Sequence, residues 1–108
     1  MNELNPYILL VIRWLQNPAL VTEGQLQSNY EAAANADVVY VADAACKAAY
    51  DVAYHARYAA SRTTSHAAKS WISSTKKRLN AYFRLSKESK EEYEERARYL
   101  NVLGAKND

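Results

Sequence analysis

His55 follows Asp51 by four residues, one helical turn, so a carboxylate stands where it can orient an imidazole. Such a pair suits general-base chemistry only when a nucleophile lies beside it. Cys46 is the sole cysteine. At about 100° per residue it falls nearly opposite His55 on the same helix, which argues against a Cys–His nucleophilic pair. Two histidines and one cysteine at scattered spacings do not make a zinc signature. Glycine occurs only at positions 24 and 104, so no Gly-rich loop can cradle a phosphate. Glu91, Glu92, Glu94 and Glu95 read as a solvated helix start and not as paired catalytic carboxylates. These residues point away from an enzyme, and they imply neither cofactor nor metal.

Binding chemistry is better represented. Residues 1–51 hold six acids and two bases, residues 52–87 hold eight bases and no acid, and residues 88–108 hold six acids and four bases. The net charge of +2 therefore conceals a basic block between two acidic ones. Within that block Lys69, Lys76, Lys77 and Arg84, extended by Arg62, fall on the polar side of one helix. Tyr40, Tyr50, Tyr54 and Tyr58 form a second stripe, on another helix. Tyrosine joins an apolar ring to a polar tip and is enriched in interfaces. Asp43, Lys47 and Asp51 interleave these tyrosines, so the stripe is not a dry core throughout. It reads equally as a face covered by the first and fourth helices or as a partner-binding surface. The tyrosines and the five bases are the candidate partner-binding residues. The serines and threonines of 61–75 read as helix caps and a junction.

The elements that must carry these stripes are helices. The 79 residues from Gln25 to Leu103 contain neither glycine nor proline and are rich in Ala, Lys, Glu and Arg. Asn5-Pro6 predicts a helix over 6–16 that is apolar around most of its circumference and belongs inside a core. Thr22 and Gln25 form a capping box, with Val21 and Leu26 as a hydrophobic staple, and open a long helix over 23–60. A break at 61–65, or else a helix continuous through it, precedes a third helix over 64–84. Ser86 or Ser89 caps a fourth over 88–103, whose apolar face is Tyr93, Ala97, Leu100 and Leu103. Along the long helix Val38, Ala42, Ala45, Ala49, Val52, Ala56 and Ala59 repeat at alternating spacings of four and three. That seam of small residues allows close approach of another helix. It is predicted to lie under the third helix, folded back antiparallel, or to meet its own copy in a homodimer. The expected fold is all-α: one domain over 1–108, a compact bundle of about four helices built on one long Ala-rich helix.

The length suits a single modest core. The apolar run 7–12 is too short to cross a bilayer and follows an acidic start, so no membrane association is expected. A single cysteine fits a reducing, cytoplasmic setting.

The stretch 30–60, with Tyr30-Glu31-Ala32-Ala33-Ala34 and Ala48-Ala49-Tyr50-Asp51-Val52-Ala53-Tyr54-His55-Ala56-Arg57-Tyr58-Ala59-Ala60, resembles the small Ala/Tyr-rich helical accessory proteins of tailed bacteriophages. Trp14-Leu15-Gln16-Asn17-Pro18 and Val21-Thr22-Glu23-Gly24-Gln25-Leu26 are similar in character. The likeness is one of composition over about half the chain, and no catalytic residue carries over. It implies a protein made in the infected bacterial cytoplasm that binds and inhibits a host factor, such as a defence component. The expected function is thus a non-enzymatic protein-binding module whose host partner offers an acidic or aromatic-accepting surface. The alternatives are a nucleic-acid-associated basic helical protein and a small structural or assembly protein. The chain is expected to be a monomer, or a homodimer through the Ala/Val face.

Overall fold

Helix starts here follow from side chains that satisfy otherwise unpaired amide groups. Asn5 Oδ1 accepts from the Tyr7 and Ile8 amides at 2.9 and 3.3 Å, and Pro6 opens α1 (Pro6–Gln16). A single 3-10 turn, Pro18–Leu20, leads to the Thr22 box. There Gln25 N donates to Thr22 Oγ1 at 3.1 Å, and Thr22 N donates to Gln25 Oε1 at 2.8 Å, starting α2 (Glu23–Val39). The chain continues as α3 (Ala44–Ala60), α4 (Ser65–Ser86) and α5 (Lys90–Lys106). The structure, a computed structural model, describes residues 4–39, 44–61 and 65–106, and those residues are all-helical apart from short connections.

The predicted helix over 23–60 is two helices. A straight helix would hold residues 30 and 54 about 36 Å apart, yet the rings of Tyr30 and Tyr54 have centroids 5.7 Å apart. The chain therefore reverses between Val39 and Ala44, and α2 and α3 pack as an antiparallel pair. Closing that pair buries apolar surface that one extended helix would leave in water, which outweighs the local preference for continuity. Tyr40 and Ala42 of the two stripes lie outside the described residues, as do Asp43 and the junction residues 62–64.

α4 folds back antiparallel on α3, as the sequence predicts: Tyr58 meets Trp71 near one end, while Ala44 and Leu85 line one groove at the other. The described part of the Ala/Val seam is covered from within the chain. Ala49, Val52, Ala56 and Ala59 are all buried, the last at 3 % exposure. A homodimer on this face would have to displace α4 and α1, since the described part of the seam packs in the chain's own core. Small side chains there leave space for Leu79, Thr75 and Tyr82 of α4, each buried.

α1 lies against α2, α3 and α5, with Ile8, Val11, Ile12 and Trp14 buried. Its apolar circumference is thus used on several sides, as its sequence requires. α5 is held to α1 by Asn101, whose amide donates to Arg13 O at 3.2 Å while its Oδ1 accepts from Arg13 Nε at 3.0 Å. Tyr93 and Ala97 are buried as predicted, but Leu103 is 40 % exposed and Asn101 takes the inward place. The two carbonyl and guanidinium partners on α1 give Asn101 what a leucine could not offer. The radius of gyration is 13.3 Å, close to the roughly 13 Å of one compact unit of this length.

Candidate functional site

The tyrosine stripe sits where α2, α3 and α4 come together. Tyr50, Tyr54 and Tyr58 are each half-buried. Tyr30 of α2 closes one side, 5.6 Å from Tyr50 between centroids. Trp71 of α4 closes the other, stacked on Tyr58 at 5.2 Å. Tyr54 touches both neighbours on its own helix, lying 6.4 Å from Tyr50 and 4.7 Å from Tyr58. The rings thus form one continuous band across three helices, and apart from the stacked Tyr58–Trp71 pair the contacts are tilted or edge-on, an arrangement that π-quadrupoles favour. The cover comes from α2 and α4, whereas the sequence suggested the first and last helices.

Arg57 binds this band together. Its guanidinium lies 4.6 Å from the Tyr58 ring centroid and 5.4 Å from that of Tyr30, and its Nε donates to Gln27 Oε1. One residue therefore ties α3 to α2 by cation–π contact and a hydrogen bond. The hydroxyls of Tyr30 and Tyr50 stand 3.5 Å apart. That neighbouring hydroxyl, and then burial, push Tyr50 up to about 12. Tyr54 is raised as well, chiefly by the Tyr58 hydroxyl.

His55 does not form a carboxylate-oriented dyad. Its Nδ1 donates to the backbone carbonyl of Asp51 at 2.7 Å, because that carbonyl can only accept. Its ring packs on Tyr54 and Trp71 at 5.4 and 5.5 Å. The imidazole is thus a member of the aromatic band. Among the described residues no group of three or more His, Cys, Asp or Glu side chains is placed to hold a metal ion.

The basic residues occupy a separate surface. Lys69, Lys76, Lys77 and Arg84 are all exposed and share about 100° of the outward side of α4. Trp71 lies about a third of a turn beyond the edge of this arc, so the basic face and the aromatic band are distinct surfaces. No carboxylate among the described residues comes within 4.0 Å of these four side chains. Arg62, the predicted extension, lies outside the described residues. Lys76 also edges a half-open cleft of about 420 Å³ between α1, α4 and α5, whose floor is Ile12, Leu15 and Leu79.

A third cluster was not anticipated from the sequence. Glu88, in the link between α4 and α5, accepts from the Tyr82 hydroxyl at 2.6 Å and the Tyr93 hydroxyl at 2.5 Å, both at Oε1. The Tyr93 oxygen in turn accepts from the Asn5 amide at 2.7 Å. Burial, then the Glu88 carboxylate, push Tyr93 up to about 12, and the same causes raise Tyr82 further. The clasp fastens the start of α1 to the α4–α5 link. Its only sequence trace is the spacing of Tyr82, Glu88 and Tyr93 across a predicted break, which carries no helical periodicity.

No helix among the described residues is long and apolar enough to cross a membrane. No protein-family model, curated protein or solved structure matches this chain.

Proposed function

We propose that this chain is a non-enzymatic protein-binding module, that the outward face of α4 receives an acidic surface of its partner, and that the partner is a bacterial host factor which the module inhibits. The carrying observation is a face of four exposed cations along α4 with no described carboxylate within 4.0 Å of any of them. Left in water, such a face costs little. Against an acidic partner it speeds association and selects by charge. The aromatic band behind it joins three helices and holds α4 in place, so the cations are presented on a stiff element. The phage-like composition of 30–60 supplies the host context, in the bacterial cytoplasm.

Affinity purification from bacterial lysate tests this reading, comparing the wild-type chain with Lys69→Glu/Lys76→Glu/Lys77→Glu. A host protein retained by the first and lost by the second supports it. Retention of the same proteins by both would refute the assignment of the face.

A second reading, sequence-independent binding of nucleic acid, is favoured by the complete absence of acids from residues 52–87. It predicts binding to generic duplex DNA that weakens steeply with salt. Failure to be retained on heparin at low salt would exclude it.

A further inference from the structure

α1 and α5 pack on each other, and α4 packs on α3. Where these two pairs part, the half-open cleft of about 420 Å³ remains between α1, α4 and α5. Its α1–α5 side is fixed: Gln16 Nε2 donates to Glu94 O at 3.0 Å, and Gln16 Oε1 accepts from Asn101 Nδ2 at 3.3 Å. The hollow is therefore preformed, which lowers the cost of filling it. Its size falls within the roughly 300–1,000 Å³ of small-molecule sites.

Floor and rim differ in chemistry. Ile12 and Leu79 are buried and Leu15 is half-buried, so the floor is aliphatic and carries no ring. No buried side-chain nitrogen or oxygen among the described residues lacks a partner, so nothing below the rim calls for a heteroatom in the occupant. That selects a plain hydrocarbon body over a sugar or a heterocycle. The rim holds two exposed lysines, Lys76 from α4 and Lys90 from α5, against one carboxylate, Glu94. Glu94 pairs with neither, since no described carboxylate lies within 4.0 Å of Lys76 or Lys90. The rim is net positive, and an anion suits it.

We propose that this cleft binds a medium-chain aliphatic monocarboxylate of about eight to ten carbons, its chain on the Ile12, Leu15 and Leu79 floor and its carboxylate at the lysine rim. The site goes beyond the acidic-partner reading of α4. Lys76 belongs to both surfaces, whereas Lys90 belongs to the cleft alone.

Titration of the full chain with decanoate, following isoleucine and leucine methyl signals by NMR, tests this directly. Shifts at Ile12, Leu15 and Leu79 are expected, with a dissociation constant of about 0.1–1 mM for so open a site. Each methylene removed, through octanoate to hexanoate, should weaken binding about two- to fourfold. Lys90→Gln should weaken it, and Lys76→Gln/Lys90→Gln should do so by about three- to tenfold. Both lysines are exposed, so an unchanged melting temperature should show that the variants fold. Absence of shifts at the three floor residues up to about 10 mM decanoate overturns the proposal. Octylammonium binding as tightly as octanoate also overturns it, by giving the rim to Glu94. So does an affinity for decanoate indifferent to the double substitution.

Discussion

Replacing Glu88 by alanine should destabilise this protein far more than the exposure of Glu88 suggests. Surface substitutions away from special features stay within about 0.5 kcal/mol. Glu88 is exposed as a residue, yet its Oε1 is the acceptor for two hydroxyls whose residues, Tyr82 and Tyr93, are 2 and 0 % exposed. A hydrogen bond to a charged group contributes about 1.5–3 kcal/mol, and a buried donor left without a partner bears its desolvation cost. Water can reach part of the vacated site, so the expected loss is about 2–3 kcal/mol for the two bonds together. For a domain of this size that lowers the melting temperature by roughly 10–15 °C. Urea denaturation followed by circular dichroism measures the loss. A double-mutant cycle then assigns it: on the Glu88→Ala background, Tyr82→Phe should cost about 1 kcal/mol less than it does in the wild type, since no hydroxyl is then left unpaired. Tyr93→Phe is the poorer probe, because the Tyr93 oxygen also serves the Asn5 amide. A Glu88→Ala loss under about 0.5 kcal/mol, or additivity in the cycle, would refute the clasp as a stabilising element.

The same cluster sets an alkaline limit. Tyr93 is held protonated up to about 12 against an ordinary 10.0, so its contribution is fully present below pH 10 and is lost as the pH rises through 12. Melting temperatures taken stepwise over that window, with tyrosinate absorbance followed in parallel, should show the loss, and Tyr93→Phe should flatten it. Titration of every tyrosine near pH 10 without loss of fold would contradict this. At the end of α4, Lys87 adopts φ 61°, the left-handed region that favours glycine. Lys87→Gly should therefore raise stability by about 0.5–1 kcal/mol, visible as a melting temperature several degrees higher. An unchanged or lower value would show that the lysine makes compensating contacts.

Local chemistry was legible in the sequence and tertiary reversal was not. Asn5 with Pro6, Thr22 with Gln25, and Ser89 with Glu92 announce helix starts, because the side chains that satisfy the first amides must sit within a few residues of them. The inward face of α4, with Thr75, Leu79 and Tyr82, follows from the helical period. The division of 23–60 into α2 and α3 escaped, since no glycine or proline interrupts the stretch from Gln25 to Ala60. A helix-forming composition cannot show where packing makes the chain double back. The stripe of Tyr50, Tyr54 and Tyr58 was visible for the same periodic reason, while its closure by Tyr30 depends on the antiparallel packing of α2 on α3. Asn101 and Leu103 exchange places for another reason. Periodicity ranks residues by polarity and cannot foresee that Arg13 offers a guanidinium and a carbonyl to an asparagine.

The bond from the Asn5 amide to Tyr93 joins residues 88 positions apart, and this bears on how the protein comes to be folded. Hairpins such as α2–α3 and α3–α4 close short loops, so they can form early and quickly. α1 precedes α5 in the chain and meets it only after more than seventy further residues have emerged, at several seconds' remove. Through that interval Ile8, Val11 and Ile12 have only part of their cover. The docking of α5 on α1 closes the longest loop of the fold and is expected to be the last large event in assembly. Substitutions in this contact should act on the folding rate less than on unfolding, whereas those in the α3–α4 pair should act on both.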